Sequence, residues 1–230
     1  MVDKIQSKHV NVGSVMPLLD PVRKYRNRPL GSETVGISPD LVQPTMNLRL
    51  CIESQITVAA QDVCLCPEVL PQNVIQDLHE NIKAMPEEFW QRWNKGNHWA
   101  LRDAKRWRKH LSGFRDVQDQ LAKRFSMSIR AARINRFLSG SDAKLFHQDA
   151  SAVVPAVAKR QNTSLILSLG ETRRIYFYEL QTKNTVSIEV THGMAYAFGD
   201  EVNLDWAHGI PTEAVVLPRY SVAFWGWTER

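Results

Sequence analysis

The chain contains nothing close to the roughly 18 consecutive apolar residues that a membrane-crossing helix requires. Its opening, Met1-Val-Asp-Lys-Ile-Gln-Ser-Lys8, has no apolar core of a secretory leader. The expectation is a soluble intracellular protein, cytoplasmic or nuclear. Cysteine is scarce: Cys51, Cys64 and Cys66 are all there is. That gives no disulfide framework, and one Cys-x-Cys without a second pair makes no zinc site, so reduced structural thiols are expected. No internal repeat is visible, which removes solenoids and propellers. Nor does one sign of charge dominate, the net value being +5 with a pI near 9.2.

What is present divides unevenly along the chain. Residues 1–55 carry prolines at 17, 21, 29, 39 and 44 and show little periodicity; they read as an irregular basic N-terminal arm preceding a domain at 56–230. After Pro71, Val74, Leu78 and Ile82 recur every four residues, which predicts an amphipathic helix. Phe114, Val117, Leu121 and Phe125 mark a second one. Strand-like runs follow at 129–138, 144–149, 163–169, 174–180, 185–190, 193–198, 203–207 and 215–225. The last part of 194–211 reads as strand, turn, strand around Gly199-Asp200. Helices first and then about eight strands suit a mainly β fold with flanking helices, a double-stranded β-helix (jelly-roll, cupin-like) buttressed by the N-terminal helices.

The chemistry-bearing feature is His147-Gln-Asp149, followed 59 positions later by His208 and then by Arg219. Seven histidines and 12 aspartates in 230 residues make one His-x-Asp about a one-in-three chance event, so the surroundings must carry the assignment. In Lys144-Leu-Phe-His-Gln-Asp149 strand alternation puts His147 and Asp149 on one face, and a second strand delivers His208. Two imidazoles and a carboxylate can occupy one face of a ferrous ion and leave positions open for a co-substrate and dioxygen. Arg219 and Ser221 share a face of the last strand, and a guanidinium grips a carboxylate bidentately.

Taken together, several stretches resemble the AlkB-like branch of the iron(II)- and 2-oxoglutarate-dependent dioxygenases: Ile134-Asn-Arg-Phe-Leu-Ser-Gly140, His147-Gln-Asp149, Ser164-Leu-Ile-Leu-Ser-Leu-Gly170, Gly199-Asp200, His208-Gly-Ile-Pro211 and Arg219-Tyr-Ser-Val-Ala-Phe224. The resemblance implies Fe(II) held by His147, Asp149 and His208, with 2-oxoglutarate and O2 as co-substrates. It also implies that Arg219 meets the distal carboxylate of 2-oxoglutarate, that Asn135 hydrogen-bonds the same molecule, and that a substrate C–H is oxidised, with release of the methyl group if that carbon is N-linked. The departures are specific. Where the family pattern has an asparagine and a second arginine after Arg219, this chain has Ser221 and Trp225, and a family tyrosine is Phe137. One charge and one hydroxyl are therefore missing, leaving Arg230 or another basic residue to restore the charge. The acidic residues that often follow the ligand pair in nucleobase demethylases are replaced by Ala150-Ser-Ala-Val-Val-Pro155.

Charge bears on the substrate. Residues 95–136 hold 12 Lys/Arg against three Asp, and Arg102, Lys105, Arg106, Trp107, Arg108 and Lys109 interleave an aromatic with basic groups, as a phosphate-tracking, base-stacking surface would. A methylated nucleobase in DNA or RNA is the expected substrate. Two other readings stand beside it: the same chemistry on a protein side chain, amino acid or metabolite, and a nucleic-acid-binding module whose oxygenase site has decayed.

Overall fold

The computed structural model describes residues 46–93, 97–101, 104–214 and 217–230, with backbone alone for 104 and 105. Most of the expected N-terminal arm, and Arg102, lie outside the described residues.

Twelve strands form among the described residues: β1 (Asn47–Leu50), β2 (Asp62–Cys66), β3 (Trp90–Trp93), β4 (His98–Leu101), β5 (Met127–Phe137), β6 (Lys144–His147), β7 (Thr163–Gly170), β8 (Arg173–Glu179), β9 (Thr185–Val190), β10 (Ala195–Gly199), β11 (Trp206–Ile210) and β12 (Arg219–Thr228). The helices are α1 (Gln72–Lys83), α2 (Ala104–Trp107), α3 (Phe114–Arg124), α4 (Ala150–Val153), α5 (Pro155–Ala158) and α6 (Asp200–Asp205). An eight-stranded sheet has the order β1-β2-β10-β7-β12-β5-β4-β3, and a four-stranded sheet the order β6-β11-β8-β9.

Two apolar layers follow from the side-chain periods. Between the sheets, Phe137, Ile166, Ile175, Phe177, Tyr196 and Phe198 interdigitate. On the other face of the large sheet, Ile75, Leu78 and Ile82 of α1 and Phe114, Val117 and Leu121 of α3 meet Leu165, Leu167, Val222 and Phe224. Both amphipathic helices therefore lie where their apolar stripes demand. β7, buried along nearly its whole length, sits between β10 and β12; Leu165, Leu167 and Leu169 face the helices, and Ser164, Ile166 and Ser168 face the inside of the two sheets.

The expected strand at 203–207 is corrected: Asp200–Asp205 forms α6, and β11 begins only at Trp206. The cause is a distant partner. Glu201 and Val202 N–H groups both donate to the Ala60 carbonyl (3.1 and 3.2 Å), and a Cβ on Gly199 would stand 2.2 Å from the Ala59 oxygen. The chain is pinned there by backbone some 140 positions earlier. β1 was also unmarked by periodicity. It pairs in parallel with β2 at the sheet edge with all four side chains exposed, so no alternation betrays it.

Candidate metal centre

In the small sheet β6 and β11 run antiparallel with His147 opposite His208, and the two ring centroids lie 4.3 Å apart. The pairing then slips. Ile210 lies opposite Lys144, so three steps along β6 match two along β11, a bulge of the kind that re-aims side chains beside active sites. Gly209 lies at this slip, where a Cβ would meet the Lys144 oxygen at 3.0 Å and the Phe146 nitrogen at 3.1 Å. Gly209→Ala should thus move β6 by a few tenths of an ångström and weaken metal binding on the order of tenfold. Zinc titration together with a thermal melt checks this; a variant that binds zinc as tightly as the parent refutes it.

Asp149 lies just beyond β6, as the extended residue before α4. Its position is fixed from α6 and β7. Asn203 accepts from the Asp149 N–H (2.8 Å) and donates to the Asp149 carbonyl and to Ser151 Oγ, while Gln148 donates to the Asn203 and Leu204 carbonyls. Ser164 Oγ donates to Asp149 Oδ2 at 2.7 Å. Oδ1 is thereby left facing His147 Nε2 at 3.8 Å and His208 Nε2 at 3.9 Å. These separations exceed a hydrogen bond, so the three groups face a common space; their ligand atoms all lie within 4.8 Å of one another.

Protonation suits a cation there. His147 Nδ1–H donates to the Leu145 carbonyl (2.9 Å), which fixes the tautomer and leaves Nε2 bare. Burial, then the charge of Lys144, holds the His147 imidazole well below its ordinary range, and burial takes His208 down to about 4. Burial opposes ionisation of Asp149, but His208, His147, Lys144 and the Ser164 hydroxyl outweigh it and keep the carboxyl well below the usual carboxylate range. The donor set is thus two neutral imidazoles and a carboxylate, all deprotonated as metal ligands must be. His98, buried and stacked on Phe137 (5.2 Å), is likewise pushed down to about 4 by burial. Between pH 6.5 and about 4 the unfolded chain takes up protons that these native histidines refuse, so stability falls as pH falls through that window. For His98 alone the loss is on the order of 3 kcal/mol. Urea denaturation of the metal-free protein at pH 7 and pH 4.5 measures it, and equal midpoints would contradict it.

The wall facing the three ligands comes from β5 and β12, where Arg219 opposes Phe137, Ser221 opposes Asn135 and Ala223 opposes Arg133. Arg219 is 0% exposed. Its Nε donates to Ser168 Oγ at 3.1 Å, yet among the described residues Nη1 and Nη2 have no partner. Burial brings the guanidinium down to about 10, so it remains charged at neutral pH. Asn135 Nδ2 donates to Ser221 Oγ (3.2 Å), and its Oδ1 is unpartnered. Arg219 and Ser221, expected on one face of the last strand, and Asn135, expected on a separate strand, lie on one wall because β5 and β12 pair.

Two further residues of this pocket were missed. Tyr196, buried on β10, lines it beside Ser221, as does Lys144. Tyr196 supplies a hydroxyl on a wall where Phe137 has none, and its signal was a lone tyrosine on the inward side of an apolar strand. Lys144 is brought in by the bulge on β6, a feature with no local signature, and burial lowers its ammonium to about 8. Arg230 does not restore the missing charge. It pairs with Asp200 (2.7 Å) and donates to the Val58 and Asn162 carbonyls. The basic run is also corrected in one respect: Trp107 is 1% exposed and packs edge-on against Phe114 at 4.9 Å on the helix side of the large sheet, so its ring is not available to stack on a base. Lys105 lies on α2; Arg106, Arg108 and Lys109 are exposed and do not line the pocket at the candidate metal centre.

No protein-family model and no curated protein matches the sequence. Among solved structures, a prolyl-4-hydroxylase from Pseudomonas putida superposes with a TM-score of 0.50 at 12% identity, over 73% of this chain and 93% of that one. A structure described as OsALKBH1 gives a TM-score of 0.49 at 11% identity, over 71% and 97%. The fold is a double-stranded β-helix. Within it, the two histidines occupy adjacent strands of the small sheet, and the buried arginine stands on the large one.

Proposed function

We propose that this protein is an iron(II)- and 2-oxoglutarate-dependent oxygenase that uses O2 to oxidise a substrate C–H bond. The observation that carries the reading is Arg219, a buried cation with two unpartnered nitrogens on the wall facing two neutral imidazoles and a carboxylate. A buried charge without a partner is expensive, and a dicarboxylate that reaches from a metal to a guanidinium relieves that cost. His147, Asp149 and His208 would hold the iron; Arg219, with Ser221, Tyr196 and Lys144, would hold 2-oxoglutarate, and Asn135 would keep Ser221 in place. The iron, when bound, supplies the redox chemistry that couples decarboxylation of 2-oxoglutarate to oxidation of the substrate. The chain's own share is to keep the imidazoles neutral, aim one oxygen of Asp149 at the ion and wall off the co-substrate between two sheets.

A methylated nucleobase in DNA or RNA stays within this reading as one substrate class. Exposed Arg106, Arg108 and Lys109 support its electrostatic part, and the buried Trp107 ring removes the stacking part. A decayed, purely binding module is disfavoured by the complete ligand set.

The test is anaerobic addition of Fe(II) and 2-oxoglutarate, expected to give a visible charge-transfer band and, once air is admitted, succinate. Absence of 2-oxoglutarate binding by the iron-loaded protein overturns the proposal. Salt-sensitive stimulation by a methylated oligonucleotide would select the nucleic-acid class.

A further inference from the structure

Arg133 stands on the inner face of β5, opposite Ala223 and one rung from Trp225. Its guanidinium lies over the Trp93 ring, 4.2 Å from the centroid, and over the Trp225 ring, 5.6 Å from the centroid, so both indoles contact the cation. Among the described residues it has no hydrogen bond and no ion pair, although it is partly buried. Trp225 lines the metal pocket, and Ser164, which holds Asp149, pairs with Trp225 across β7 and β12. Arg133 therefore stands at the metal end of the pocket, whereas Arg219 stands at the other end, four residues of β5 away by register. Burial lowers the Arg133 pKa and the Asp149 charge opposes this, which agrees with a partly desolvated guanidinium within reach of the metal ligands.

The charges left over point to a substrate. Resting on the oxygenase reading, iron(II) and Asp149 together leave one positive charge, and Arg219 and Lys144 offset the two negative charges of 2-oxoglutarate. Arg133 then adds a positive charge that nothing in the loaded pocket offsets, and a low-dielectric pocket of one sign favours a ligand of the other. We propose that Arg133, held against Trp93 and Trp225, is the specificity-determining residue that takes an anionic group, carboxylate or phosphate, of the substrate beside the metal. A guanidinium offers paired N–H donors that match either group.

The experiment uses the full chain loaded anaerobically with Fe(II) and saturating 2-oxoglutarate, and titrates benzoate, phenyl phosphate and uncharged benzamide by calorimetry. At least one anion should bind ten times more tightly than benzamide, and which one binds tells a carboxylate substrate from a phosphate one. R133Q should erase the preference while changing 2-oxoglutarate affinity less than twofold, and R133K should retain part of it. A thermal melt confirms that each variant is folded; if R133Q is not, R133K alone decides, and unchanged selectivity with a shifted 2-oxoglutarate affinity counts against the proposal. Equal binding of all three probes, binding of neither anion, or an R133Q defect confined to 2-oxoglutarate overturns it. Failure of the oxygenase reading is separate and shows beforehand, as no 2-oxoglutarate binding to the iron-loaded protein.

Discussion

His147→Ala is expected to abolish succinate formation and to lower iron(II) affinity by far more than the 10- to 100-fold that changes in outer hydrogen-bonding partners cost. Among the described residues three side chains could hold the ion, and removing one leaves only His208 and Asp149. The fold should survive, because His147 ends an edge strand of the small sheet and its side chain is 22% exposed. Zinc or cobalt titration reads affinity without redox chemistry, and circular dichroism reads the fold. A variant that binds metal like the parent would remove His147 from the centre. Ser164→Ala is the informative comparison: it frees Asp149 Oδ2 and should cost only about 10- to 100-fold in affinity.

The second large effect separates binding from stability. Arg219→Met should weaken 2-oxoglutarate binding by a factor on the order of 100 or more, since truncating one member of a buried charge pair costs about 2–5 kcal/mol. Metal affinity should stay unchanged. Without ligand, the same substitution should leave the melting temperature equal or higher, because a fully buried guanidinium with two unpartnered nitrogens carries a desolvation cost that its single bond to Ser168 does not offset. Its shift from 12.5 to about 10 corresponds to roughly 3 kcal/mol. With 2-oxoglutarate at about 100 times its dissociation constant the parent should gain about 2.7 kcal/mol, and the variant close to none. Scanning calorimetry with and without 2-oxoglutarate checks both halves. A variant that melts far below the parent without ligand would mean that Arg219 is a structural group rather than a waiting anion site. Arg173 shows what such a group looks like: equally buried, it donates to the Ser139, Asp142 and Pro211 carbonyls and pairs with Glu213.

The sequence misjudged what depended on contacts between distant segments. The second half of α6, 203–205, was read as the start of a strand at 203–207, and the Ala60 carbonyl, far away in sequence, accepts from the Glu201 and Val202 N–H groups where the helical turn begins. β3 reads Trp-Gln-Arg-Trp and β4 His-Trp-Ala-Leu, both too short to show a clear alternation, and were not seen, although Trp93 on β3 lies against Arg133 at 4.2 Å. Trp107 looked like a surface aromatic because its neighbours are basic; its ring turns under them, and Arg108 lies over it at 5.5 Å.

The amino-acid sequence by itself determined which side chains are the candidate metal ligands, that the last strand carries a cation at Arg219, and that strands outnumber helices after residue 126. Those features rest on residue chemistry and on two short periods, which are local properties of a chain. Tertiary structure alone decided that Lys144 and Tyr196 enter the same pocket, that Ser164 and Asn203 aim Asp149, and that Arg133 lies against Trp225. Each of those contacts depends on strand register, on a one-residue bulge or on a hydrogen bond between segments many residues apart, and a register shift of one residue would reverse the face each side chain presents.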